Sequence, residues 1–175
     1  PCRYAKNKLT VITFHRVLTE EQRAAYHLPN LAVTPDELDW LCSEFAENFQ
    51  CGTFSAVYDR WIRQEPESKP LLAITFDDGQ ADNFINAQAV LDKHKLKATF
   101  YVPVQNVNSR SLIWHDRLGF AINHYRGTKS DLNMLLPALQ EYFPGIEEYN
   151  IDAAQLIRSA KSLAPADREE LVLAV

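Results

Sequence analysis

One largely apolar run of the chain, Leu71–Phe76, is six residues long and is followed directly by Asp77, Asp78 and Gly79. A run of this length between turn residues is typical of a strand that is buried on both faces of a parallel sheet. The pattern therefore predicts a central buried strand with two acidic side chains at its carboxyl end.

Runs rich in β-forming residues and helical spacing predict further elements on both sides of this strand. Strands are predicted at 9–14 and at 98–103. A helix is predicted to begin at Thr34, because Thr34 can cap it, Pro35 suits its first turn and Glu37 occupies the capping-box position. The apolar stripe of this helix consists of Leu38, Leu41, Cys42, Phe45 and Phe49.

Two more helices are predicted on either side of the central strand. The first spans 54–62, and its predicted packing face consists of Tyr58, Trp61 and Ile62. Large apolar groups of this kind belong to a core more often than to a ligand platform. The second helix has Asp82-Asn83 as its predicted cap and extends to about His94, with an apolar face that consists of Phe84, Ala87, Val90 and Leu91. Residues 19–32 are predicted to form an irregular polar loop.

A strand, a helix and a strand within residues 71–103 predict a right-handed parallel crossover, the repeating unit of α/β folds. Both strands then deliver their carboxyl ends to one edge of the sheet. Towards the end of the chain, helices are predicted at 130–142, 150–163 and 165–175. With 175 residues, of which 46% are hydrophobic, the chain is expected to bury a core as one domain or a large piece of one.

The two carboxylates at the end of the central strand are the first indication of chemistry. Ionised carboxylates lose hydration near an apolar core and repel each other at close range. A bound cation or a shared proton would compensate Asp77 and Asp78. The alternative is that Asp78-Gly79 is only a hairpin turn. A hairpin needs a second strand directly afterwards, however, and the residues that follow have helical spacing.

A histidine and an arginine follow the first predicted strand in the same way. His15 and Arg16 would share the edge with the aspartates if the strands are parallel, since α/β folds gather their sites at the carboxyl ends of strands. A histidine whose ring is satisfied by a loop carbonyl is an equally good interpretation.

Composition argues against several classes of function. The net charge of -5 and the pI near 5.5 disfavour a nucleic-acid-binding or anionic-membrane surface. No stretch approaches the roughly 18 consecutive apolar residues of a membrane span, and no secretion signal opens the chain as given. Cys2, Cys42 and Cys51 lack C-x-x-C spacing, so we interpret them as buried or incidental thiols and not as a disulfide framework or a zinc site.

Three segments form a pattern that is more specific than Asp-Asp-Gly alone. The central segment is Ile74-Thr75-Phe76-Asp77-Asp78-Gly79, followed by a helix that ends near Leu96 and by residues 97–102. The supporting segments are Thr13-Phe14-His15-Arg16-Val17 and Trp114-His115-Asp116-Arg117-Leu118. Together they resemble the polysaccharide deacetylase family, the NodB-type carbohydrate esterases of family 4, and the supporting segments are similar to those of bacterial members. The resemblance covers residues 9–125.

This resemblance implies an α/β fold, part of a distorted (β/α) barrel of the TIM type with a helical insertion or tail toward the C-terminus. The implied activity removes acetyl groups from an N-acetylated polysaccharide or oligosaccharide with a divalent metal, commonly zinc. The resemblance also implies that Asp77 is the general base on the attacking water and that Asp78 is a metal ligand. Gly79 would let the backbone turn closely behind the site.

A sugar-contacting rim is predicted for Trp114, His115 and Asp116, and His15 and Arg16 are further candidates for substrate binding. For Trp114 and Asp116 the alternative is a helix start in which the aspartate lies in the first turn. Chitin-like, peptidoglycan, capsule and exopolysaccharide substrates are equally compatible with the motifs. A cytoplasmic or a cell-envelope location and any oligomeric state are also compatible with them.

The family pattern is incomplete in this chain. The family's metal is also held by two histidines in a His-Ser/Thr-x-x-His segment, and no two of the five histidines have that spacing: His15, His27, His94, His115 and His124. One carboxylate is a poor zinc site, because such sites ordinarily have three protein ligands and an open position. We therefore expect weak or absent zinc binding by this chain alone. Lys95 also stands where many relatives carry a helix-ending glycine.

Two explanations of the missing histidines compete, a chain cut from a longer deacetylase and a degenerate relative that has lost catalysis. The favoured prediction is that residues 1–175 are the N-terminal portion of one catalytic domain, with 9–125 as its β/α part and 126–175 as a helical segment. A non-catalytic carbohydrate-binding or assembly module on the same scaffold is the alternative function. A magnesium-dependent phosphoryl-transfer site ranks last, because the chain lacks a glycine loop that could cradle phosphate.

Overall fold

The computed structural model of the protein describes residues 8–128, 134–147 and 151–175. The chain divides into two compact units, residues 1–107 and residues 108–175. The strands of the first unit are β1 (Leu9–Phe14), β2 (Arg16–Val17), β3 (Ala32–Val33), β4 (Gln50–Gly52), β5 (Leu71–Phe76) and β6 (Ala98–Phe100). Its helices are α1 (Glu20–Ala25), a 3₁₀ turn (Pro29–Leu31), α2 (Pro35–Asn48), α3 (Phe54–Ile62), a π-helical turn (Asn83–Ala87) and α4 (Gln88–Lys93).

The main sheet is built around β5, and all of its strand pairs are parallel. β1 pairs with β5 over the full length of both strands, from Leu9 opposite Leu71 to Phe14 opposite Phe76. The other edge of β5 is shared, since β4 pairs with its first half and β6 with its second half. A separate two-residue pair joins β2 to β3. The predicted α/β class with a parallel sheet is confirmed, and β1 and β5 have the predicted bounds.

Side chains of β5 alternate between two apolar layers, as the period of a strand requires. All six residues are buried. On one face, Leu72, Ile74 and Phe76 pack with side chains of α2 and α4, such as Phe45 and Leu91. The opposite face packs against α3, in a cluster that consists of Val57, Leu71, Ala73, Leu9 and Phe54. The prediction of a strand buried on both faces is confirmed.

Helix α2 begins as the sequence predicts. Thr34 is its N-cap and lies before Pro35, and the Glu37 backbone N–H donates to Thr34 Oγ1 over 3.2 Å. In return, the Thr34 N–H donates to Glu37 Oε2 over 2.8 Å, which completes the capping box. Of the predicted stripe, Leu38, Cys42 and Phe45 are buried, and Leu41 and Phe49 pack against them.

The prediction of an irregular loop over residues 19–32 is wrong. This segment contains α1, the 3₁₀ turn and the start of β3. A second capping box opens α1, because the Gln22 N–H donates to Thr19 Oγ1 (3.2 Å) and the Thr19 N–H donates to Gln22 Oε1 (3.0 Å). The threonine and the glutamine three residues later are the sequence signal for this helix.

The bounds of α3 agree with the prediction, but its predicted packing face is wrong. Val57 is 1% exposed, whereas Tyr58 and Trp61 are 39% and 42% exposed, and Ile62 is more exposed still. Close packing against β4 explains the difference, because a Cβ at Gly52 would lie 3.0 Å from Val57 Cγ1. A position this tight accepts a small apolar side chain and excludes an aromatic ring.

The helix after β5 also differs from the prediction in its first turns. Asp82 has helical φ and ψ and makes no side-chain cap, and Phe84 is exposed. The π-helical turn adds a residue to the turn, so residues before and after it face directions that a regular helical spacing does not predict. Ala87 and Leu91, which follow, are buried as predicted. The predicted strand at 98–103 is confirmed only over 98–100.

The described cysteines behave as packing residues. Cys42 is buried and Cys51 half-buried, and both are free thiols. Burial raises the pKa of each thiol to about 11. Both groups therefore stay protonated near neutral pH, which agrees with the prediction of structural thiols. Cys2 lies outside the described residues.

The second unit is helical, as predicted for the end of the chain. Its helices are α6 (Trp114–Thr128), α7 (Leu136–Tyr142), α8 (Ala153–Ala160) and α9 (Pro165–Ala174), and α5 (Val104–Ser109) lies across the division between the units. Residues 130–133 and 150 of the predicted helices lie outside the described residues. None of the helices in the described part of the chain has the length and apolarity of a membrane-spanning segment.

The end of α4 carries a lysine in a backbone conformation that favours glycine. The Lys95 N–H donates to the Asp92 carbonyl (3.0 Å) and the Leu96 N–H donates to the Leu91 carbonyl (2.9 Å), the two bonds of a Schellman motif. Lys95 has a φ of 56°, in the left-handed region. Lys95 therefore adopts the left-handed conformation for which glycine is preferred, at the position where many relatives carry glycine.

Replacing Lys95 by glycine is expected to stabilise the protein. The left-handed conformation costs a non-glycine residue about 1–2 kcal/mol, and glycine loses about 0.5–1 kcal/mol through its freer unfolded chain. We expect Lys95→Gly to raise the free energy of unfolding by about 0.5–1 kcal/mol in urea denaturation. Lys95→Ala removes the same side chain but keeps the strained φ, so it should give no gain. An equal gain from both variants would contradict the backbone explanation.

Candidate functional site

Asp77 is held by the sheet although it lies just beyond β5. Its backbone N–H donates to the Phe14 carbonyl over 2.9 Å, which extends the pairing of β1 and β5 by one residue. The Tyr101 N–H makes the corresponding bond to the Phe76 carbonyl over 2.8 Å on the β6 side. Hydrogen bonds from both neighbouring strands therefore fix the backbone at the carboxyl end of β5.

The next two residues turn the chain sharply away from the sheet. Asp78 has a φ of 72° and Gly79 a φ of 59°, so two successive residues are left-handed. Aspartate tolerates this region better than most residues, and glycine has no penalty there. A non-glycine residue in this conformation costs on the order of 1 kcal/mol and occurs often at functional sites. No hairpin follows, because the next element is the helix that contains the π-helical turn.

The turn is also closely packed from behind. A Cβ at Gly79 would lie 2.8 Å from Val102 Cγ1, which is closer than real Cβ contacts. Gly79 therefore serves two purposes, the left-handed φ and the close approach of the segment after β6.

Both aspartates line an open cavity of about 530 Å³ at this edge of the sheet. Thr13 and Thr75 contribute polar groups from β1 and β5, and their hydroxyl oxygens lie 2.9 Å apart. The remaining lining residues are Val11, Phe54, Tyr101, Val102 and Pro103. Tyr101 is not among the predicted site residues, although its place directly after a parallel strand that ends at this edge is a signal for it.

Arg16, which was predicted to contact substrate, makes a partly buried ion pair in the structure. Its Nε lies 2.7 Å from Asp82 Oδ2, and its guanidinium carbon is 4.7 Å from the centre of the Tyr26 ring. Burial is the largest single effect on Arg16 and opposes its charge, but the interactions with Asp82 and Tyr26 together outweigh it and raise the pKa of the guanidinium above its ordinary value. The contacts with Asp82 and Tyr26 are structural, because they join β2 to residues elsewhere in the first unit. Substrate contact by Arg16 stays a prediction.

Asp82 links this arginine to the backbone around the site. Its Oδ1 accepts a hydrogen bond from the Val17 N–H over 2.7 Å, while its Oδ2 accepts from Arg16. His15 lies between β1 and β2 and is half-buried at the same edge as Asp77, because it directly follows Phe14. Substrate contact by His15 stays a prediction.

Trp114 and Asp116 belong to the second unit. They lie in the first turn of α6, as the structural alternative predicted. Asp116 is fully buried, and the Arg168 guanidinium lies 4.7 Å from the centre of the Trp114 ring. Their predicted role in substrate binding is not tested by these contacts.

The described residues do not fit a zinc ion by themselves. Among residues 8–128, 134–147 and 151–175, no three or more His, Cys, Asp and Glu side chains are grouped so that they could hold a metal. Asp77 and Asp78 provide carboxylates, but a zinc site ordinarily needs three protein ligands. One histidine has a clear structural partner instead, since His94 Nε2 lies 2.8 Å from Asp39 Oδ1.

Known proteins are similar to this chain over part of its length. Residues 64–140 match the family model described as polysaccharide deacetylase, which confirms the resemblance given by the motifs. The Streptococcus pyogenes deacetylase PplD in complex with acetate is 27% identical, with a TM-score of 0.43, over 54% of this chain and 41% of that one. IcaB from Ammonifex degensii is 24% identical, with a TM-score of 0.43, over 54% of this chain and 37% of that one. Among curated proteins, none matches the chain.

Replacing Gly79 by alanine is expected to destabilise the protein. The left-handed φ would cost about 1–2 kcal/mol, and the contact with Val102 would add an overpacking cost of about 1–3 kcal/mol. We expect the free energy of unfolding to fall by at least about 2 kcal/mol in chemical denaturation. Gly145→Ala is the matched control, because a Cβ at Gly145 meets nothing within 4 Å and its φ is not left-handed. Equal effects of the two substitutions would contradict this account of the turn.

Proposed function

We propose, because residues 64–140 match the family model of polysaccharide deacetylases, that the protein hydrolyses the acetamide group of an N-acetylated polysaccharide or glycan and releases acetate. The enzyme would be a hydrolase of carbon–nitrogen bonds other than peptide bonds, in the carbohydrate metabolism of a bacterial envelope. The observation that carries the proposal is the pair Asp77 and Asp78 at the cavity where β5 ends.

We assign the two aspartates different roles. The backbone of Asp77 continues the hydrogen bonding of the sheet, whereas the backbone of Asp78 is left-handed, so the two neighbouring residues leave β5 in different conformations. Asp77 is proposed as the general base that accepts the proton of the attacking water. Asp78 is proposed as a ligand of a divalent metal. The threonine hydroxyls of β1 and β5 and the ring of Tyr101 line the same cavity and are available to contact the sugar.

A divalent metal, zinc in our proposal, would belong to the complete site. Such an ion lowers the pKa of a bound water and polarises a carbonyl group. The described residues offer too few ligands for it, and we propose that further ligands come from outside the described part of the chain. We therefore propose that this chain alone binds little metal and has little activity.

The sheet is proposed to be one part of a distorted (β/α) barrel. β1, β5 and β6 are parallel neighbours and their carboxyl ends lie at one edge, where barrels of this type have their sites. The chain spans less than half the length of the PplD and IcaB structures that it resembles. Residues 9–125 would form the β/α part of the domain and residues 126–175 a helical segment.

A non-catalytic carbohydrate-binding module on the same scaffold is the second candidate. The specific observation in its favour is that the described residues gather fewer than three side chains at any potential metal site. The same cavity could then bind a sugar without hydrolysing it. Acetate release distinguishes the two candidates.

Acetate release by the full-length protein tests the catalytic proposal. With zinc supplied, we expect the protein to release acetate from N-acetylglucosamine oligosaccharides, and Asp77→Asn to lower kcat by about 100-fold or more, since general bases contribute about 10²–10⁴-fold. Asp36→Asn, a change at an exposed aspartate of α2, is the control and should leave kcat unchanged. Full activity in Asp77→Asn would reject the proposed role of Asp77.

Calorimetric titration with zinc tests the proposal that this chain lacks a complete metal site. We expect residues 1–175 to show no tight stoichiometric binding, because carboxylates from one turn supply fewer ligands than zinc requires. Asp78→Asn should change the weak residual heat only slightly. A tight one-to-one site that disappears in Asp78→Asn would show that other residues of this chain complete the site.

A further inference from the structure

Three aromatic side chains form a row along α3. The rings of Phe54 and Tyr58 stack with centres 5.6 Å apart and planes 14° apart, and Trp61 follows with its ring centre 6.0 Å from that of Tyr58. Tyr58 and Trp61 are both exposed in the structure. Large exposed aromatic groups that form a continuous surface commonly mark a binding site. We call Phe54, Tyr58 and Trp61 the aromatic row.

One end of the aromatic row lies at the candidate site. Phe54 lines the cavity of about 530 Å³ together with Asp77 and Asp78. Its position is fixed by the Phe54 N–H, which donates to Thr99 Oγ1 over 2.9 Å. A ligand that occupies this cavity can therefore continue onto Tyr58 without leaving the row.

The other end of the aromatic row lies at a second cavity of about 540 Å³, which Trp61 lines together with Arg60, Glu65 and Glu67. The Glu67 side chain is only 6% exposed, and its Oε2 accepts a bond from Arg60 Nη2 over 2.6 Å. Its other oxygen, Oε1, is buried and has no hydrogen-bond partner among the described residues. A buried carboxylate oxygen without a donor is costly, so this cavity favours a ligand that brings one.

These features fit a carbohydrate chain better than an apolar partner. Pyranose rings present C–H groups to aromatic faces and hydroxyl groups to the side, and Tyr and Trp have a large flat surface with a polar end. The hydroxyl groups can donate to Glu67 Oε1 and accept from Arg60. A purely hydrophobic protein segment would cover the rings but would leave the buried carboxylate oxygen unpaired.

We propose that the aromatic row is a binding surface for an extended polysaccharide, which runs from the cavity of Asp77 and Asp78 along α3 to the cavity of Glu67. The inference rests on the proposed function, since it takes the polymer to be the substrate whose acetyl groups are removed. The row would hold several sugar units beyond the one at the aspartates. Long oligosaccharides should therefore bind more tightly than short ones.

Binding of hexasaccharides to this chain tests the inference without any need for catalysis. The probes are β-1,4-linked and β-1,6-linked N-acetylglucosamine hexasaccharides, measured by calorimetry. We expect at least one to bind, and the double variant Tyr58→Ala, Trp61→Ala to weaken its binding about tenfold or more, a loss of about 1.4 kcal/mol. Trp40→Ala is the matched control, because Trp40 is an exposed tryptophan on α2 outside the row, and it should bind like the unchanged chain. Circular dichroism checks that each variant is folded.

Several outcomes would overturn the inference. It fails if neither hexasaccharide binds, or if the double variant binds as tightly as the unchanged chain. It also fails if ultracentrifugation shows a dimer that the double variant abolishes, since the occupant would then be a second copy of the chain. Absence of acetate release from the full-length protein, with hexasaccharide binding retained, would reject the catalytic proposal and leave the polysaccharide-binding surface in place.

Discussion

Burial of β5 is the constraint on which the rest of the first unit depends. Its apolar side chains face α2 and α4 on one side and α3 on the other, so charge is costly anywhere along the strand. The hydroxyl of Thr75, the single polar side chain in the run, is paired with that of Thr13. Asp77 and Asp78 are the first positions at which the chain can carry charge beside water, and this confines the candidate site to the strand end.

The π-helical turn and Asp82, the residue directly before it, hold the end of β2 in place. The Val17 N–H donates to Asp82 Oδ1 and the Val17 carbonyl accepts from Asn86 Nδ2, each over 2.7 Å. The partly buried ion pair of Asp82 with Arg16 adds a charged contact that needs good geometry to offset its desolvation. The helix after the aspartates therefore also fixes the segment that carries His15.

Sequence patterns predicted the elements whose local signals agree with their packing. The apolar run of β5 and the capping box of α2 are such cases. The run alone indicates a buried strand, and the capping box alone indicates where the helix begins. The exposed side of α3 was not predictable from spacing, because Val57 and Tyr58 can both pack in a core. The close approach of Gly52 favours the smaller side chain, Val57, on the side that faces the sheet. The ion pair of Arg16 joins residues far apart in sequence, so no local pattern indicated it. The edge that gathers the aspartates was predictable because parallel strands share their carboxyl ends.

Two non-glycine residues with a left-handed backbone, Asp78 and Lys95, lie on either side of the helix after β5. They differ in whether the side chain that causes the strain also lines the candidate site. Asp78 and Lys95 both bear a positive φ that glycine would adopt without strain. At Lys95, an exposed side chain at a helix end, glycine would keep the backbone hydrogen bonds of the Schellman motif. At Asp78, glycine would relieve the strain but would also remove a carboxylate from the cavity at the end of β5. Asp78 therefore combines a strained backbone with a side chain that lines the cavity, and this combination agrees with a functional role for its carboxylate.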